Sequence, residues 1–346
     1  MPTIRSQQQV YADLLDRYGR LVADAFMRAM EDLRSGAELQ RVTAFIQNGD
    51  IDGALEALHI DPEAFGDMLD KIREAHAEAG KRAAEALPKR KPDGTALVVR
   101  FDGRNPEAER GVAERGARLV QGVTDSIRQT ATDWMVAGLA RGDNPRTVAL
   151  DLVGRVNRAT GKREGGILGL TQTQAEYVMT ARQELASGDP AALKNYLGRG
   201  RRDKRFDRSI AKAIREEKPV DPAIAAKAIT AYERRLLQLR GEMISRTETL
   251  AAMNAASYEA IRQAVASGKI DAAAVRRVWR SAGDFRVRHT HIGLNRESVG
   301  LNDAFRSPSG ALLRFPGDTS LGAPASEIVG CRCWVENRID FLSNLR

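Results

Sequence analysis

The only cysteines in 346 residues stand one position apart, Cys331 and Cys333 in the stretch GCRCW. Two residues so spaced on a strand point to the same face, and both sulfurs could then reach one metal ion. Upstream, His289 and His291 repeat the i, i+2 spacing on an expected strand. Zinc takes four nitrogen or sulfur ligands, so His289, His291, Cys331 and Cys333 form a conceivable Cys-Cys-His-His site. CxC and HxH are not the usual zinc half-sites, however. The competing reading makes the cysteines small buried hydrophobes that fix one strand. A disulfide between such near neighbours would be strained.

The same histidines belong to a second cluster, in which Asp284, Arg286, Arg288, His289 and His291 crowd together. An Asp beside a His can act as a base with its orienting carboxylate. No Ser or Cys sits in a strained elbow to serve as nucleophile, and no second acidic pair would hold a catalytic metal. The alternative is a buried polar network of Asp284, an Arg and a His that locks loops together. A third constellation is basic: Arg199, Arg201, Arg202, Lys204, Arg205 and Arg208, diluted by Asp203 and Asp207. Exposed cations of this density suit phosphate contacts, or else form a solvated, salt-bridged surface. With Phe206 as the sole aromatic, the segment offers no stacking platform for single strands.

These residues need elements to hold them. Charged residues make up 29% of the chain and aromatics only 5%, a helix-rich balance, and the net charge of +8 favours contact with a polyanion. Val10 to Leu33 repeats apolar residues at helical spacing; a short helix is expected around Val42 to Ile46, another from Asp50, and a longer one from Asp61-Pro62 to about Leu87. Asn105-Pro106, Asn144-Pro145, Asp189-Pro190 and Asp221-Pro222 each pair a capping side chain with a proline suited to the first helical turn. Helices are expected from Asn105 to about Gly142, from Asn144 to Thr160-Gly161, and from Asp221 to about Ser267. Thr171 and Gln174 suggest a capping box. The stretch GKREGGILGL is glycine-rich but lacks the Gly-Lys-Ser/Thr of a phosphate loop, so it reads as a flexible connector. ALVVRF, Ala96 to Phe101, is the only strong strand signal of the first half. From Val275 onward the segments turn short and β-like. His59 and His76 stand alone in helical context and read as structural or surface residues. The N-terminus carries no apolar leader and no run spans a bilayer, so a soluble protein made in a reducing cytoplasm, with no membrane partner, is expected. The fold class is mainly α with a small α+β C-terminal module and an elongated helical N-terminal region. Three domains are expected: 1–160 helical, 161–240 basic and helical, 241–346 α+β.

The tail resembles the C-terminal module of tailed-phage minor head proteins, the Mu F-like head-morphogenesis family. The resemblance rests on SRTETLAAMNAASYEA, VWRSAGDFRVRHTHIGLN, FRSPSGALLRFPGD and SEIVGCRC, in that order. The matching positions are Arg246, Thr247, Glu248, Asn254, Trp279, Asp284, Arg286, Arg288, His291, Gly293, Phe305, Pro308, Gly310, Pro316, Asp318, Cys331, Arg332 and Cys333. Some members carry Cys-x-x-Cys where this chain has Arg288 and His291, and His-Pro-Asn where it reads Ile328 to Gly330. A four-ligand metal site at those positions is therefore incomplete here, with His291, Cys331 and Cys333 left and His289 a substitute. The resemblance implies a few-copy structural component of the virion head, made in the bacterial host cytoplasm and not an enzyme. Its implied partners are the portal protein, with major capsid or scaffolding protein and non-specific double-stranded DNA as further ones. The alternatives are a metal-dependent hydrolase or nuclease using the His/Cys cluster, and a stand-alone DNA-binding protein.

Overall fold

A computed structural model describes residues 7–341. In chain order the helices are α1 (Gln7–Gly36), α2 (Leu39–Gln47), α3 (Ile51–Glu56), α4 (Gly66–Ala86), α5 (Pro106–Ala140) and α6 (Pro145–Val153). After the strands β1 (Arg155–Val156) and β2 (Arg163–Glu164) come α7 (Gln172–Ser187), α8 (Pro190–Gly198), α9 (Asp207–Glu216) and α10 (Pro222–Ala266). The remainder is β3 (Val275–Arg280), α11 (His289–Leu294), β4 (Ser298–Val299), β5 (Phe305–Arg306), β6 (Leu312–Leu313), α12 (Ala325–Ile328) and β7 (Trp334–Ile339). The fold is thus mainly α with small antiparallel sheets toward the C-terminus, as composition and periodicity suggest. No helix among the described residues is long and apolar enough to cross a membrane.

The capping signals work as read. Asn105, Asn144, Asp189 and Asp221 each accept a hydrogen bond from a backbone N–H of the turn they open. Thr171 and Gln174 close a reciprocal capping box on α7. The helix from Asn144 is shorter than expected. It stops at Val153 because Gly154 takes φ 83°, and a hairpin of β1 and β2 follows. The expected strand Ala96 to Phe101 does not form, since only Ala96 finds a bridge partner, Arg90. The segment is extended all the same. Leu97 is buried with Leu87, Ile261 and Val275, and Phe101 stacks against His76 at 5.7 Å. The Gln263 side-chain amide of α10 satisfies both backbone groups of Asp102, at 2.9 and 3.0 Å, in place of a neighbouring strand.

The chain forms two compact units. One comprises Ala25–Gly66 and Arg118–Gly241. Its core holds Phe26, Met30, Ile46, Leu58, Ile127 and Tyr196, and it contains the glycine-rich stretch. That stretch is not a flexible connector. Ile167, Leu168 and Leu170 are buried, and Arg34 clamps the Gly166 and Leu168 carbonyls while Arg240 holds that of Gly169. Glu233 accepts from the Gly166 N–H at 2.8 Å and from Arg182 at 2.9 Å, and Arg182 also pairs with Asp151. Burial pulls both Arg34 and Arg240 down to about 10, the cost of placing guanidinium groups among carbonyls, and Glu233 and Glu31 offset it only in part at Arg34. Glycine is required because Gly165, Gly166 and Gly169 all have positive φ and a Cβ on any of them would meet neighbouring atoms.

The other unit comprises Met1–Asp24, Asp67–Ala117 and Glu242–Arg346. Tyr11, Leu14 and Tyr18 of α1 pack with Ala75 and Ala79 of α4 and Met253 and Ala256 of α10. A three-stranded antiparallel sheet, in the order β4-β3-β7, lies beside them, with Val278 opposite both Ser298 and Glu336. Along β3, Val275, Arg277 and Trp279 turn inward and Arg276 and Arg280 turn outward, while Val278 between them is buried as well.

Candidate metal centre

Trp279 is the floor of the site. It is fully buried, and its ring meets His291 and Phe305 edge-on at 5.1 and 5.2 Å. His291 comes from α11, not from a strand: the Arg288 carbonyl accepts from the His291 and Ile292 N–H groups, closing a helical turn. On a helix, positions i and i+2 diverge by about 200°, so His291 is buried while His289 faces outward. His289 therefore does not join the ligand group. Cys331 and Cys333 lie on the extended chain that leads into β7, not within the strand, and both are buried. His291 Nδ1 is 3.4 Å from Cys331 Sγ and 3.5 Å from Cys333 Sγ. His291, Cys331 and Cys333 are the one group of potential metal ligands brought together among the described residues, with ligand atoms within 4.8 Å of each other.

The thiols form a strongly coupled pair. The hydrogen bond from Cys333 holds Cys331 well below the usual thiol value, against burial and with help from His291. The same bond, then burial, pushes Cys333 up, so the second thiol of the pair loses its proton far less readily than the first. On the far side of the imidazole, His291 Nε2 is 2.9 Å from Glu327 Oε2. The two atoms thus lie at hydrogen-bond distance, but Nε2 makes no aligned hydrogen bond there. Glu327 is buried and accepts from Ser309 at 2.7 Å and Thr290 at 3.1 Å. Burial raises it, and those two bonds together with His291 outweigh the burial and leave it below the ordinary glutamate value. Arg286, Arg288 and Arg332 line an adjoining void of about 30 Å³, enough for one ion or water.

Around this centre the sequence motifs become joints. Asn254 of α10 donates to the carbonyls of Leu250, Pro316 and Cys333 and accepts from the Val335 N–H. Glu248 pairs with Arg115 at 2.6 Å, and Arg115 also donates to the Gly317 carbonyl. Thr247 accepts from the Gly330 N–H. Asp318 caps the Arg314 and Ser320 N–H groups, and a Cβ on Gly293 would stand 2.9 Å from Pro308. Arg288 donates to the Glu327 and Val329 carbonyls, Arg246 is exposed, and Arg286 stacks over the exposed ring of Phe285 at 5.4 Å. Asp284 is bound by both guanidinium nitrogens of Arg332, which hold it down to about 2. Its partner is thus an arginine at the surface. The carboxylate that faces the histidine is Glu327, which carries no spacing signal in the sequence.

The basic segment is half spent on itself. Arg199 is bidentate to Glu184, Arg202 to Asp207, and Arg205 to Asp203. Arg201, Lys204 and Arg208 are exposed. Of the other histidines, His59 is exposed and 2.6 Å from Glu38, while His76 is buried. Compared with known families, curated proteins and solved structures, the chain matches none.

Proposed function

We propose that this chain is a minor head protein of a tailed phage or related particle. It would sit in the virion head, dock on the portal protein with capsid or scaffolding protein nearby, and serve head assembly and DNA packaging or delivery without catalysing a reaction. The observation that supports this reading is the use made of the family-like positions. Residues as far apart as Asn254 and Cys333, or Gly293 and Pro308, meet as joints of one module. The ionisable groups there are tied to one another, Asp284 to Arg332 and Glu248 to Arg115, which suits a rigid assembly part. Co-expression with the portal protein of the same particle is the test. A stable complex on size-exclusion chromatography is expected, and a chain that elutes alone at micromolar concentrations overturns the proposal.

A second reading concerns zinc. Tetrahedral bonds of about 2.3 Å to sulfur and 2.0 Å to nitrogen put the S and N ligands of one ion about 3.5 Å apart, which is the spacing of His291 Nδ1 from both sulfurs. Zinc on Nδ1 would leave Nε2–H for Glu327, the usual carboxylate support of a metal-bound imidazole. The three residues thus fit a zinc ion whose fourth position is open or taken by water, a fold-fixing role that needs no substrate. Metal analysis of purified protein should find about one zinc per chain. Cys331→Ser/Cys333→Ser should abolish it and His289→Ala should keep it. Metal-free wild type with an unchanged melting temperature in chelator overturns this reading.

A further inference from the structure

The outward face of the three-stranded sheet carries four arginines around a cleft of about 640 Å³. Arg276 and Arg338 sit directly opposite each other on β3 and β7, Arg280 follows on β3, and Arg296 closes the far side before β4. Like charges paired across strands destabilise a sheet, so the arrangement asks for a counter-charge. The face supplies little. Among the described residues Glu336 serves both Arg280 and Arg338, and Asp340 at the rim is a second carboxylate, against four arginines. Arg276 spends one nitrogen on the carbonyls of Ala273 and Val275. Arg296 makes no side-chain hydrogen bond or ion pair among the described residues, and it holds φ 73°, where glycine or asparagine would be cheaper. An unpaired arginine kept in a strained backbone position at the mouth of a charged cleft points to a ligand.

We infer that this arginine face binds the phosphate backbone of duplex DNA. The inference rests on the head-protein reading for the presence of a duplex nearby, while the surface itself stands on geometry. Guanidinium forks take phosphate oxygens bidentately. Arg276 and Arg280 are about 13 Å apart along the strand, a row and not a point. A duplex presents a phosphate charge about every 1.7 Å of its axis, so such a row meets phosphates in any register without reading sequence. The cleft floor is Val278 and Ser298, with no aromatic shelf, and Trp334 on the same face is engaged by Tyr11 at 5.6 Å. Base stacking is therefore not available, which selects duplex over single strand. The surface also differs from the Arg199–Arg208 segment, where Arg199, Arg202 and Arg205 are each matched by a carboxylate of their own, Glu184, Asp207 and Asp203.

The test uses full-length protein, a 24-base-pair duplex and, as the competing polyanion, poly-glutamate, across a salt series. Wild type should bind the duplex in preference to poly-glutamate. Arg276→Ser/Arg296→Gly/Arg338→Ser should weaken duplex binding at least tenfold and lower the salt slope by about 2 to 3, near one per lost phosphate contact. Arg296→Gly alone should melt no lower than wild type, because glycine relieves the backbone, and should by itself reduce the slope by about one. An unchanged slope in the triple variant, or a preference for poly-glutamate, overturns the inference. No portal protein enters the assay, so a chain that ignores the portal but holds duplex through these arginines fails the head reading alone.

Discussion

His76 shows how one side chain sets a pH limit. Burial against Phe101 lowers it from 6.5 to about 4, since an imidazolium there would lose its water without gaining a partner. The unfolded chain then binds a proton that the folded chain refuses. Stability is complete above pH 6.5, declines as pH falls through that value toward 4, and is lower by about 3 kcal/mol once below both. Urea unfolding at pH 7 and pH 4 should show this loss, and His76→Leu should remove that part of it. At this scale the sequence is partly legible. Two thiols one residue apart announce a shared site, and His291 joins it. His289 does not, because the HxH pair lies on a helical turn, where the spacing that aligns strand neighbours separates them. Glu327 was not readable, for a carboxylate brought in by a four-residue helix has no periodicity to betray it.

Helix starts were legible because an Asx side chain followed by proline carries its own mechanism, a cap and a preset φ. Extended segments were less so. Ala96 to Phe101 has strand composition, but a ladder needs a neighbour, and here a glutamine side chain stands in for one. The glycine-rich stretch deceived in the other direction. Its glycines are there for positive φ and close approach, and the arginines and glutamate that clamp it arrive from remote helices. Gly169→Ala is expected to cost roughly 3 kcal/mol, since φ is 92° and the new Cβ would stand 2.4 Å from the Met30 sulfur. Gly161→Ala is the control. With φ 69° and open space it should cost only about 1 kcal/mol. Chemical denaturation midpoints of the two variants check the difference.

At the scale of the whole molecule, membership of a core is what periodicity cannot show. An apolar stripe states that a helix is covered but not by what. Tyr11, Ala75 and Met253 come from three distant parts of the chain and share one cluster. The segment Glu242–Arg346, produced alone, would expose Met253, Ala256 and the Trp334 ring that Tyr11 covers. It is expected to lack a cooperative thermal transition and sharp amide spectra, whereas the full chain shows both. A well-dispersed spectrum from the isolated segment would contradict the division of the units.

The central strand β3 has its longest pairing with β7, the last strand of its unit among the described residues. During synthesis every residue of Ala25–Gly66 and Arg118–Gly241 has already been translated while β3 still lacks that neighbour. One unit can therefore close on the ribosome as the chain grows. The other must keep its cysteines, Trp279 and the inner face of its sheet uncovered until β7 emerges, which makes this interval the one in which a nascent-chain chaperone has something to hold.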